Sequence, residues 1–298
     1  MKTILIFLSV FLSANLFGQN VYIPDANFKA YLVGNSDINT NGDTEVQIIE
    51  ATAFDGLINC IDLGISDLTG IEAFIALGGL NCNNNELTSL DVSQNTALSL
   101  LECSNNELTS LDVSQNPLFY LHCYNNQITS LFVHQNSSLK GLECSNNKLT
   151  SLDLNFMPIL EYLNCDSNEI TNIDISQNSF LDLDYFNCSS NQLTCLNIAN
   201  GNNANFWFFS VDNNPSLTCI EVDDANFSSA TWSEIDSQMY FSEDCNNDCT
   251  SSLTELNASN NLIQILDMMG RETSFKPNTP LIYVYDDGSI EKVFSVEY

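Results

Sequence analysis

One pattern of apolar and polar positions repeats along most of the chain, typified by residues 101–116, LECSNNELTSLDVSQN. Each copy places an apolar residue two before a cysteine and two more five and eight residues after it. The anchors are Cys82, Cys103, Cys123, Cys144, Cys165 and Cys188, at successive spacings of 21, 20, 21, 21 and 23. A fixed period of this size predicts a solenoid, because one copy cannot bury its apolar face without a neighbour. Residues flanking each anchor alternate outward while the anchor points inward, which predicts one short strand per coil. Coils then stack at about 4.8 Å with their strands parallel. At the ends, Leu63 is expected to anchor a first coil, IDLGISDLTGI, and Val211 to replace the cysteine in a degenerate last one, giving about eight coils.

Three residues after each anchor stands an asparagine: Asn85, Asn106, Asn126, Asn147, Asn168, Asn191 and Asn214. A chain leaving a strand turns inward polar backbone groups that need partners, and a side-chain amide can both donate and accept. A second series, Asn95, Asn116, Asn136 and Asn178, is expected to serve the opposite corner. The full pattern, L-x-x-L-x-C-x-x-N-x-L-T-x-L, resembles the leucine-rich repeat with cysteine at one inward leucine site. The wording LTSLDVS-N and the entry ISDLTGIEAF resemble exported Bacteroidetes-type leucine-rich-repeat proteins with an internalin-like array. The resemblance implies an α/β repeat solenoid: a curved array with parallel strands on the concave face, helical caps and a small C-terminal β-rich tail.

The flanks divide the chain further. Residues 1–18 pair Lys2 with an apolar run and read as a secretory signal, too short to span a bilayer. Residues 19–57 form an N-terminal cap, with Asp25 capping a short helix that carries Phe28, Tyr31 and Leu32. Within it, NTNGDTEVQIIE sets Asn39, Asn41, Asp43, Glu45 and Glu50 at the ligand positions of an EF-hand-like loop, making Ca²⁺ the one cofactor suggested. The first ligand is Asn rather than Asp, and Thr44 replaces the usual turn glycine; a plain turn between cap helices is the alternative. The array covers 58–220, and 221–249 is a C-terminal cap in which Trp232, Ile235, Met239 and Phe241 mark a helix. Residues 250–298 are a linker and a strand-rich tail with Asp287-Gly288 at a hairpin turn. The tail resembles C-terminal sorting domains of type IX secretion, in LDMMGRE and IYVYDDGSIEKVFSVE, although their usual first half is missing; a C-terminal β-cap is the alternative.

Charge narrows the partners. With 38 acidic against 7 basic residues, nucleic acid and anionic membrane surfaces are poor ones. Of eleven cysteines, six form the inward column and read as packing. Cys60, Cys195, Cys219, Cys245 and Cys249 remain for oxidation. Cys219 and Cys245 bracket the C-terminal cap and are expected to pair, with Cys195–Cys219 as the alternative.

Catalytic chemistry is hard to build from these residues. Only His122 and His134 are present; His134 falls at a corner position, and no nucleophile stands beside His122. Glu102 and Glu143 share an outward column but sit two coils apart, about 10 Å, slightly beyond the span of an inverting carboxylate pair. What remains is the strand face, where Tyr120, Tyr162, Tyr185 and Phe208 share one column with Gly141 as a gap, next to His122, Tyr124, Glu143 and Asn164. These eight residues form the candidate ligand surface of a non-catalytic protein secreted or held at the cell surface, whose partner is an extracellular protein or glycan. A purely structural repeat protein is the second possibility, and a polysaccharide-acting solenoid enzyme the third.

Overall fold

The computed structural model describes residues 18–133, 135–154, 157–176, 178, 183–246 and 249, together with strand residues 262–267, 281–285 and 290–293. The chain divides into two compact units, Met1–Cys249 and Thr250–Tyr298.

The first unit is a parallel-strand solenoid of eight coils. Each coil gives one short strand to a single sheet: β1 (Leu57–Asn59), β2 (Gly79–Asn81), β3 (Leu100–Glu102), β5 (Tyr120–His122), β7 (Gly141–Glu143), β8 (Tyr162–Asn164), β10 (Tyr185–Asn187) and β12 (Phe208–Ser210). Further along the coils, a second set of short strands runs parallel. β4 (Leu111–Asp112) pairs with β6 (Leu131–Phe132), while β9 (Asn172–Asp174), β11 (Cys195–Asn197), β13 (Cys219–Glu221) and β14 (Tyr240–Ser242) form a four-stranded sheet. The core lies between the two sets. Its rows run across the coils, so Ile58, Leu80, Leu101, Leu121, Leu142, Leu163, Phe186 and Phe209 are register partners in sequence and all are buried.

That register corrects the first coil. Leu57 pairs with Gly79, so Cys60, and not Leu63, stands opposite Cys82; its N–H donates to the Asn81 carbonyl at 2.8 Å, as the N–H of Cys82 does to Glu102. Leu63 takes the corner position that asparagine fills elsewhere and is 39% exposed. The cysteine column therefore has seven members, Cys60 included, all fully buried and free. Burial pushes the thiols of Cys60 and Cys123 up to about 12 and those of Cys82, Cys103, Cys144 and Cys188 well above their ordinary range. Since an unfolded thiol ionises near pH 8.5, roughly, the stability linked to these groups is intact below that pH and is lost as pH rises through the folded values. Alkaline titration followed by circular dichroism should therefore show unfolding above about pH 9. A thiol reagent at neutral pH should find none of the seven until denaturant is added. Rapid native labelling would contradict the burial.

Corner geometry explains the asparagines. In each coil the residue two after the anchor is left-handed, from Asp62 and Asn84 through Ser167, Ser190 and Asn213, with φ between 50° and 57°. Asn and Asp tolerate this conformation better than most residues. The next residue's amide then bridges coils: Asn126 Nδ2 donates to the carbonyls of Cys103 (3.0 Å) and Cys123 (3.1 Å), and its Oδ1 accepts from Leu108 N–H at 3.0 Å. The other members repeat this.

Both ends are capped. Helix α1 (Ala26–Gly34) starts at Asp25, whose Oδ1 accepts from Asn27 and Phe28 N–H and whose Oδ2 accepts from Ser66 N–H in the first coil. Helix α2 (Ile48–Ala53) follows. At the other end the expected helix is misplaced. Helix α3 is Ala225–Thr231, and Trp232, Ile235, Met239 and Phe241 lie beyond it in turns and strand β14. Those residues imitate a further coil: Glu234 carbonyl accepts from Val211 N–H, and the Asp236 carboxylate accepts from Asn213 and Asn214 N–H. Two disulfides hold the segment, Cys219–Cys245 and Cys195–Cys249, so the Cys195–Cys219 alternative does not form even though β11 and β13 are neighbours. Such bonds fit an oxidising compartment.

In the second unit, β15 (Leu262–Asp267), β16 (Leu281–Tyr285) and β17 (Ile290–Val293) form an antiparallel sheet in that order. The expected signal run up to residue 17, His134, the Asp287-Gly288 turn and the LDMMGRE segment beyond Asp267 lie outside the described residues. No helix among the described residues is long and apolar enough to cross a membrane.

Candidate functional site

The EF-hand-like loop closes on itself. Glu50 Oε1 accepts from Thr40 N–H, Thr40 Oγ1 and Asn41 N–H, and its Oε2 accepts from Gln47 N–H. Glu45 is paired with Lys29 at 2.6 Å. Asn39 Oδ1 accepts from Gly42 N–H, Asn41 Oδ1 from Asp43 N–H, and the Asp43 carboxylate from Glu45 N–H and Gln47 Nε2. The five residues thus share one loop, and their oxygens also accept hydrogen bonds from its backbone and from Gln47 and Lys29. Among the described residues no three His, Cys, Asp or Glu side chains gather as a metal group. Thermal unfolding compared between chelator and millimolar Ca²⁺ separates the two readings: stabilisation by Ca²⁺ that Glu50→Gln removes assigns the ion, and an unchanged transition assigns the turn.

The strand face is where exposed side chains converge. Position three before the anchor carries, in register, Leu57, Gly79, Leu100, Tyr120, Gly141, Tyr162, Tyr185 and Phe208. Parallel pairing brings successive rings together face to face: Tyr162 on Tyr185 at 4.3 Å and Tyr185 on Phe208 at 4.6 Å. Gly141 is not a gap. The Tyr120 ring lies over it so closely that a Cβ there would sit 2.8 Å from Cδ1, and only glycine permits the contact. Tyr120 itself is 44% exposed.

Beside the rings runs the column one before the anchor, with Glu102, His122, Glu143 and Asn164 in register. Glu143 is committed: Oε2 accepts from Tyr162 Oη (2.9 Å) and Asn164 Nδ2 (3.0 Å), and Oε1 from Ser145 Oγ. Burial first, and then this bond to Glu143, push the Tyr162 phenol well above its usual range. Glu102 accepts from Asn81 Nδ2, and its Oε1 lies 3.6 Å from His122 Nδ1. Tyr124 stands half-buried in the third column, one residue after Cys123. Seven of the eight predicted ligand residues therefore belong to two adjacent columns, with Glu143 acting chiefly to fix its neighbours.

One residue was missed. Trp207, four before Val211, is 70% exposed and stands against Tyr185, ring centres 5.4 Å apart at a 57° tilt. Its backbone N–H donates to the Asp184 carbonyl at 2.9 Å, which places it at the rim of the same sheet. The dense run NFWFF around it was the available signal.

No family model matches this chain. Internalin J of Listeria monocytogenes serotype 4b is 36% identical over 78 residues, 26% of this chain and 8% of that protein. The chain therefore spans a small fraction of that relative's length. Two crystal structures from Listeria monocytogenes str. 4b F2365 share the fold. Internalin C2 matches with a TM-score of 0.55 at 20% identity, over 74% of this chain and 93% of its own. The internalin inlF matches at 0.52 and 18%, over 74% and 68%. The solenoid is thus of the internalin-like leucine-rich-repeat kind.

Proposed function

We propose that this chain is an exported, non-catalytic binding protein that recognises a protein at or beyond the cell surface through the face of its eight-stranded sheet. The stacked row Tyr162, Tyr185 and Phe208 carries the proposal. Rings fixed on short paired strands give contact area with little entropy left to lose, and repeat solenoids use such extended surfaces for binding. Stacking covers both faces of Tyr185 and one face each of Tyr162 and Phe208, so the row offers mainly edges outward, which suits apolar and peptide groups better than a sugar needing an open ring. Catalysis finds no support, since Glu102 and Glu143 are tied to Asn81, Tyr162, Asn164 and Ser145. Export is supported by the signal-like start and the two disulfides. We place residues 250–298 in delivery by type IX secretion, so removing them should leave the array folded but held in the periplasm; normal surface delivery of the truncated protein would refute this.

Extracellular-protein and glycan arrays probed with wild type, Tyr162→Ala/Tyr185→Ala and the outer-strand change Asp112→Lys test the binding proposal. A protein target lost in the double variant and kept by Asp112→Lys is the expected outcome. Binding that survives the double change, or that appears only on the glycan array, overturns it.

A further inference from the structure

The rim of the sheet carries a charge pattern that the chain leaves incomplete. Four residues before the anchors, successive coils present Phe119, Lys140, Glu161, Asp184 and Trp207. The backbone hydrogen bonds Lys140–Phe119, Glu161–Lys140, Asp184–Glu161 and Trp207–Asp184, all 2.8–3.0 Å, confirm that these are direct neighbours. Lys140 Nζ pairs with Glu161 at 2.9 Å. Asp184 comes next, exposed, and among the described residues it has no cation beside it. Beyond it the Trp207 indole stands 70% exposed, tilted at 57° to Tyr185 and to Phe208 rather than stacked on them.

An exposed carboxylate without a cation, on the residue whose backbone pairs with that of an exposed tryptophan, matches one protein side chain best. Guanidinium is planar, lies on aromatic faces and meets a carboxylate with two parallel N–H donors; an ammonium does neither as well. We infer that Asp184 and Trp207 receive an arginine side chain of the bound protein, with the indole as floor and the carboxylate as clamp. This deepens the proposed function by giving the partner's chemistry: an arginine flanking an apolar segment that lies on the Tyr162–Tyr185–Phe208 row. The strong negative charge of the chain, −31, favours approach of such a basic partner.

Only two tryptophans exist, and the other, Trp232, is buried, so each indole N–H resonance reports one place. Nα-acetyl-arginine amide titrated into the full chain should shift the Trp207 resonance, identified by its loss in Trp207→Phe, in a saturable way. The lysine counterpart should bind roughly tenfold more weakly, and Asp184→Asn should abolish the arginine response. An unmoved Trp232 signal certifies the fold in each variant. Absence of a saturable shift, equal response to lysine, or full response in Asp184→Asn overturns the assignment. A silent titration alongside array binding that still needs Tyr162 and Tyr185 removes the arginine site alone and leaves the sheet-face function standing.

Discussion

Replacing Asn126 by leucine is expected to lower the stability of the array by about 3–5 kcal/mol, far more than a surface change. The residue is buried, and its loss strands the N–H of Leu108 in a place closed to water and removes one of two donors from the carbonyls of Cys103 and Cys123, which keep the amides of Asn106 and Asn147. The stranded N–H costs about 1–3 kcal/mol and each of the two lost hydrogen bonds about 1 kcal/mol, and leucine offers nothing in their place. Asn116→Leu is the internal comparison. That amide donates to the Val92 and Asn95 carbonyls, but its Oδ1 has no partner, so fewer groups are orphaned and the loss should be smaller. Denaturant unfolding measures both. Equal costs, or a cost below about 1 kcal/mol for Asn126→Leu, would mean that the corner amides are not what holds neighbouring coils in register.

Trp232→Ala should cost a comparable amount, about 3–5 kcal/mol, but locally. The indole stacks on Phe209 at 4.3 Å, packs on Phe206 at 5.7 Å and meets Phe241 at 5.5 Å, closing the last coil. In a solenoid each coil touches only its neighbours, so the damage should spread inward from the end and fade. Hydrogen exchange should accelerate in β12 and β10 and stay unchanged in β2 and β3. The two disulfides limit the fraying by tethering β11 and β13 to residues 245–249. Uniform acceleration along the array would show that the solenoid melts as one block and that the cap is not a separate closure.

The repeat wording made most of the fold legible, because a period near 21 and an alternating strand face leave one stacking solution. Side-chain columns could be written down before any geometry, and the aromatic row followed from them. What failed was local. Leu63 lies in IDLGISDL, which resembles the repeat, yet register with β2 makes Cys60 the anchor, and Leu63 falls where the other coils put asparagine. The spacing of the C-terminal apolar residues suits a helix, but Trp232 and Phe241 follow the shorter helix and extend the coil pattern by backbone pairing, which spacing alone does not reveal. Gly141 looked like a hole in the aromatic row. A large ring from the adjacent strand covers it, a contact that depends on rotamer rather than on sequence position. Trp207 was hidden because it lies one residue outside the alternating columns, at the strand edge where inward and outward cease to apply.

The most direct test of the binding face is hydroxyl-radical footprinting of the protein alone and with the tightest partner recovered from the arrays. Exposed aromatic side chains lie on both sides of the coils: Tyr120 and Trp207 on the strand face, Phe132 (61% exposed) and Tyr240 (57%) on the outer strands. Protection of Tyr120, Tyr185 and Trp207 with unchanged labelling of Phe132 and Tyr240 is the predicted result; protection of the outer pair with the strand face still labelled would contradict it.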